Sequence, residues 1–178
     1  MRIRDFLMLV QERLEPLLPP SACGGRSFEA RIRFTFLQVY FDHPSLHYEV
    51  WPQKKTGRIE IGLHFEGEGE TNYRWAAVLA ERMPQVQAAL GPAMELEEWT
   101  PTWTRLHQTL PMETLDEGQA GEVARRLAAL MQTMEPILNE CRPLLGQVAA
   151  PAPRPAPRGR PRYARFRRRR LGGRRPLP

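Results

Sequence analysis

The sequence predicts an α+β domain: an antiparallel sheet with helices packed on one face, in the order helix, three strands, helix, two strands, helix, followed by a disordered C-terminal tail. Three observations carry this. Apolar and polar residues alternate over 28–36, 46–51 and 59–65, the two-residue period of half-buried strands. Three other stretches repeat apolar residues every three or four positions, the period of a helix with one buried face. Beyond residue 150 the apolar pattern stops and arginine, proline and glycine take over.

The first helix places Ile3, Phe6, Leu7, Val10, Leu14 and Leu17 on one side, and Pro16, Pro19 and Pro20 end it. Residues 21–27 read as a turn. A strand follows, with Phe28, Ala30, Ile32, Phe34 and Phe36 alternating against Glu29, Arg31, Arg33 and Thr35. The alternation lapses near Leu37 and Gln38, where a bulge is expected. Leu46, Tyr48 and Val50, then Ile59, Ile61, Leu63 and Phe65, form one apolar face of a hairpin turned by Lys54-Lys55-Thr56-Gly57. Its packing partner is a helix carrying Trp75, Val78, Leu79, Met83, Val86 and Leu90, which Pro84 should kink or split and Gly91-Pro92 should stop. Met94–Glu98 and Trp103–Leu110 are two further strands.

Thr114-Leu-Asp-Glu117 fits a capping box with threonine at the N-cap. The helix over 115–148 then spaces Val123, Leu127, Leu130, Met134, Ile137, Cys141, Leu144 and Val148 in alternating steps of four and three, the pattern of a 3.5-residue period. A coiled-coil homodimer or protein partner would use that seam. Core packing is the preferred reading, because Pro136 and Pro143 interrupt the run and no ordered charge pairing flanks it.

The expected organisation is a globular domain over 1–148, a Pro/Ala linker over 149–157 and an Arg-rich tail over 158–178. No apolar run approaches the roughly 18–20 residues of a membrane span, and the N-terminal patch is too short for a secretory signal. Cys23 and Cys141 lie far apart with no ligand spacing around them, and read as reduced thiols of a cytoplasmic protein.

Charge is divided unevenly. From Pro151 to Pro178 there are eleven arginines and no acid, in a chain whose net charge is +6, which leaves −5 for residues 1–150. A polycation attached to an acidic domain points to a polyanionic partner, nucleic acid above all. Within it, Pro157-Arg158-Gly159-Arg160-Pro161 resembles the core of the AT-hook, a short DNA-binding peptide of chromatin and regulatory proteins. That resemblance implies that Arg158 and Arg160 lie along an A·T minor groove, with Gly159 letting the backbone approach the floor. The groove is narrow and strongly negative there, and its floor lacks the amino group that G·C adds. Arg162, Arg165, Arg167, Arg168, Arg169, Arg170, Arg174 and Arg175 would bind phosphates without reading sequence. Tyr163 and Phe166 lie among them and could stack on unpaired bases, which keeps an RNA- or ribosome-associated role as the alternative.

In the body, His47, Glu49, His64 and Glu66 are the best constellation. The hairpin turn sets His47 opposite His64 on its polar face, and two imidazoles with a carboxylate can make an open metal site. The preferred reading is a solvated polar face, shared by Arg31, Arg33 and Arg58, with no metal, cofactor or catalytic residue. Residues 46–140, through the hairpin, Val86-Gln-Ala-Ala-Leu-Gly91, Leu96-Glu-Glu-Trp99 and the last helix, resemble an uncharacterised domain that accompanies predicted restriction systems. The resemblance implies an accessory role in a DNA-processing system. The element order is also similar to that of type III secretion chaperones, a likeness of fold alone. The sequence reading is thus a non-enzymatic binding protein: the tail engages DNA, and the body engages protein or a second copy, away from any membrane.

Overall fold

The computed structural model describes residues 1–145, without the side chains of residues 22 and 23. A first helix, α1 (Ile3–Leu14), runs into two short 3-10 turns, Glu15–Leu17 and Pro20–Cys23, where the prolines stand. Four strands follow: β1 (Glu29–Arg33), β2 (Phe36–Tyr40), β3 (Leu46–Gln53) and β4 (Arg58–Phe65). Helix α2 (Gly69–Leu90) crosses to β5 (Glu95–Glu98) and β6 (Thr104–Pro111), and α3 (Glu117–Leu145) closes the domain. The six strands make one antiparallel sheet in the order β1-β2-β3-β4-β6-β5. This is the expected α+β architecture, with the helices on one face.

The first expected strand divides in two. The chain turns at Phe34-Thr35, and Arg33 pairs with Phe36 across the turn. Phe34 takes φ 50 there, a left-handed conformation that few non-glycine residues adopt but that a two-residue hairpin loop demands. Even-numbered apolar residues continue through Phe34 and Phe36, which hid the turn. The lapse at Leu37 is where the parity changes: Leu37 and Val39 now face the core, and their pairing with Val50 and Tyr48 contains no bulge.

α3 is the centre of the core. Val123, Leu127, Leu130, Met134, Ile137 and Cys141 are all buried in this chain, between α1, α2 and the sheet residues Tyr48, Val50, Ile61 and Leu63. The heptad-like stripe therefore serves the domain's own interior as far as Cys141, while Leu144 is exposed. Burying each of these large side chains contributes about 1.5–3 kcal/mol before entropy is counted. Pro84, Pro136 and Pro143 do not split their helices; all three are exposed, so the carbonyls they leave without a helical donor can meet water. The cap of α3 lies two residues beyond the expected threonine. Asp116 Oδ1 accepts from the Gln119 backbone N–H at 2.9 Å, and the Thr114 hydroxyl donates to Asp116 Oδ2 at 2.8 Å.

Candidate functional site

The sheet face turned away from the helices carries the chemistry. In the β3–β4 register His47 lies opposite His64, Glu49 opposite Gly62 and Trp51 opposite Glu60. β6 sets Arg105 beside His64 and His107 beside Gly62, and β5 sets Glu97 beside Arg105. All share one face because they alternate with the core residues Tyr48, Val50, Ile61, Leu63 and Leu106.

The expected solvated face is overturned. His47, Glu49, Glu60, His64 and His107 are buried, His64 completely. The segment between β5 and β6 folds back as a roof. The Trp99 ring stands edge-on to His64 with centroids 5.4 Å apart, stacks on Trp103 at 6.0 Å and meets Trp51 at 6.5 Å. Arg105 passes 5.2 Å from the Trp99 ring centre. Asn72, in the first turn of α2, holds the roof in place: its amide donates to Thr102 O at 2.7 Å and to Gly67 O at 3.0 Å, and its oxygen accepts from Gly67 N. The Tyr73 hydroxyl donates to Pro101 O at 2.8 Å. Below the roof Gly62 leaves the room that the rings use. A Cβ there would lie 2.9 Å from His107 Cβ and 3.2 Å from His64 Nε2.

Each of the two facing histidines has one nitrogen tied outward. His47 Nδ1 lies 2.7 Å from Pro44 O, an acceptor only, so this nitrogen carries the proton. His64 Nε2 lies 3.2 Å from Glu60 Oε1. Their other nitrogens, His47 Nε2 and His64 Nδ1, are buried and make no hydrogen bond among the described residues. Carboxylates stand near both without closing to bonding distance: Glu49 Oε2 is 3.6 Å from His47 Nε2, and Glu66 Oε1 is 3.7 Å from His64 Nδ1. His47, His64 and Glu66 each offer a ligand atom, and these atoms lie within 4.8 Å of one another.

Negative charge outweighs positive here. Glu60 accepts from Arg105 at 2.7 and 2.8 Å, and Glu97 shares the same guanidinium. Burial alone would push the His64 imidazole toward neutrality. The hydrogen bond to Glu60, with the Glu66 carboxylate 3.7 Å away and the field of Glu49, overcomes that and raises its pKa to about 9. Glu60 shows the reciprocal effect: burial opposes its charge, and His64 and Arg105 hold it below the usual carboxylate range. For His107 burial wins, with Arg105 beside it, and its pKa falls.

Of the residues singled out from sequence, His47, Glu49, His64 and Glu66 converge. Arg31 instead pairs with Glu29, and Arg58 bonds Thr109 Oγ1 at 2.7 Å. Glu60, Arg105, His107, Glu97 and the tryptophans were not singled out. The four-residue step from Glu60 to His64 along one strand face was the available signal. Arg158, Gly159, Arg160 and the other tail arginines lie outside the described residues. At the sheet's other end an open cleft of about 730 Å³ joins Arg4 of α1, the β1–β2 turn and the β3–β4 turn. Its lining holds Arg4, Lys54, Lys55, Trp51 and Phe34 and no acid, and Phe34 is 92% exposed.

Fold and site together define an antiparallel α+β domain with a tryptophan-roofed His/Glu/Arg network on the sheet face opposite its helices. Comparison with protein-family models, curated proteins and solved structures finds no match. Among the described residues no helix is long and apolar enough to cross a membrane.

Proposed function

We propose that this protein binds nucleic acid, duplex DNA in preference, through the Arg-rich segment 158–178, with the α+β domain as its protein-interacting body. One observation carries the reading: eleven arginines and no acid lie between Pro151 and Pro178, on a body of net charge −5. Such a segment gains affinity by displacing condensed counterions from phosphates. The cleft around Arg4, Lys54 and Lys55 adds support from the body, since cations gather there with exposed aromatic surface although the body as a whole is acidic.

The test is an electrophoretic shift series with duplex DNA, single-stranded DNA and RNA at several salt concentrations. With six or more phosphates met, the slope of log K against log salt should be about −5 or steeper. A chain ending at Val148 should lose the shift, and equal affinity of shortened and full-length protein overturns the proposal. A·T duplexes should be preferred over G·C duplexes, with Gly159→Ala removing the preference and keeping most of the affinity. RNA bound more tightly than either duplex would transfer the assignment to the RNA-associated class.

A further inference from the structure

We propose that His47 Nε2, His64 Nδ1 and a Glu66 carboxylate oxygen bind one divalent transition-metal ion, zinc in preference, with Glu49 beside the fourth position. The strongest support is the outward tethering of both imidazoles. Metal-binding histidines almost always give their second N–H to a backbone carbonyl or a carboxylate, which fixes the tautomer and aims the ring. His47 gives Nδ1–H to Pro44 O, and His64 sets Nε2 against Glu60. This leaves the lone pair of His47 Nε2 for the ion, whereas at His64, whose pKa is raised to about 9, the ion must displace the Nδ1 proton. Those two nitrogens are buried and without a hydrogen bond among the described residues, on rings carried by paired positions of β3 and β4. The rings stack with centroids 5.3 Å apart, which holds the two imidazoles side by side.

The dimensions suit a small ion. Zinc takes imidazole nitrogen at about 2.0–2.1 Å and carboxylate oxygen at about 2.0–2.2 Å, so tetrahedral donors sit about 3.3–3.6 Å apart. One ligand atom from each of His47, His64 and Glu66 already lies within 4.8 Å of the other two. Glu66 follows the last residue of β4 and is partly exposed, so its side chain can close the remaining distance.

Charge and chemistry narrow the ion. Glu49, Glu60 and Glu66 surround the two imidazoles, and the nearby Arg105 is committed to Glu60 and Glu97. Two imidazoles disfavour magnesium and calcium, which take oxygen shells, and the lack of a thiolate disfavours soft monovalent copper. The tryptophan roof supplies the apolar shell that limits water access and strengthens charge interactions at a metal. This inference is independent of the nucleic-acid reading.

The test uses full-length protein stripped with a chelator and titrated with zinc chloride alone, then passed through gel filtration for metal analysis. One zinc per chain should be retained, and cobalt in its place should give visible ligand-field absorption with no thiolate band. Glu66→Gln, at the partly exposed end of the site, should keep the wild-type circular dichroism. It should also lose more affinity than the about 10–100-fold typical of losing an outer-sphere partner. His47→Gln should do the same if it folds, and Glu66→Gln decides the matter if it does not. No zinc retained by wild type overturns the proposal and leaves the centre as an ion-pair network. So does zinc held equally by Glu66→Gln, or magnesium bound as tightly as zinc.

Discussion

Glu135 shows what one buried charge demands of its neighbours. It sits on α3, almost wholly buried, where a bare carboxylate would cost several kcal/mol. The Tyr48 hydroxyl donates to Oε1 at 2.8 Å, Arg26 pairs with Oε2, and Arg142 stands 3.9 Å away. Asp42 completes the network against Arg26 and Arg142 at 3.1 and 3.4 Å. Burial, and then the Glu135 charge, lift the Tyr48 pKa well above its ordinary value, so the hydroxyl remains a donor across the physiological range. Tyr48→Phe removes that donor and fills the same space. The expected loss is about 1–3 kcal/mol, the cost of leaving a buried acceptor short of a partner. Urea unfolding should show a lower midpoint at unchanged slope, and a change under about 0.5 kcal/mol, usual for surface substitutions, would remove Glu135–Tyr48 from the account of stability. At this scale the sequence was half readable. Strand alternation and turn length set His47 opposite His64. Arg105 and His107 reach the same centre through the β4–β6 pairing, which joins strands about forty residues apart and leaves no local signature.

Among the elements, the segment between β5 and β6 has the largest effect on the site for its size. It is only Trp99 to Trp103, turned by Trp99 N donating to Trp103 O at 3.0 Å and by Thr100 Oγ1 accepting from Trp103 N at 3.0 Å. Without it the histidine centre would face water, as the strand alternation led one to expect. The alternation reports which side of the sheet a residue takes and is silent on what covers that side. The same limit explains the split first strand, where apolar parity ran across a turn. The elements that were legible, α1, the β3–β4 hairpin, α2 and α3, have long periodic faces against one core. Asn72 joins the roof to α2; its two hydrogen bonds to Gly67 are buried and the one to Thr102 O is partly buried. Asn72→Ala should strand Gly67 N, Gly67 O and Thr102 O, cost about 1–3 kcal/mol for each left without water, and loosen the roof before the core. Red-shifted tryptophan fluorescence at denaturant concentrations where circular dichroism is still native is the expected sign. Coincident transitions by both probes would show that the roof is held by the tryptophan contacts alone.

For the whole molecule the governing quantity is the separation of charge: +11 between Pro151 and Pro178 against −5 before it. The body's acids are largely at its surface, with Glu68, Glu70, Glu95, Glu98, Glu113 and Glu117 all exposed. A cleft of about 410 Å³ at the start of α3 gathers Glu113, Asp116 and Glu122. These acids and a DNA phosphate offer arginine the same chemistry, so under the proposed function body and nucleic acid would compete for the tail. Each exposed pair contributes only about 0–1 kcal/mol, and the sum depends on screening. The Debye length is about 30 Å at 0.01 M salt and about 8 Å at 0.15 M. A synthetic peptide of residues 149–178 should therefore bind duplex DNA more tightly than the full chain at low salt, with the difference closing as salt rises. Compensation of net charge without contact gives the same trend, so contact itself must be measured. Spin labels placed in the tail should broaden amide signals near Glu113, Asp116 and Glu122 at low salt and leave them sharp at 0.15 M, where the Debye length is about 8 Å. Sharp signals at every salt concentration would mean that the body acts on the tail only through its field.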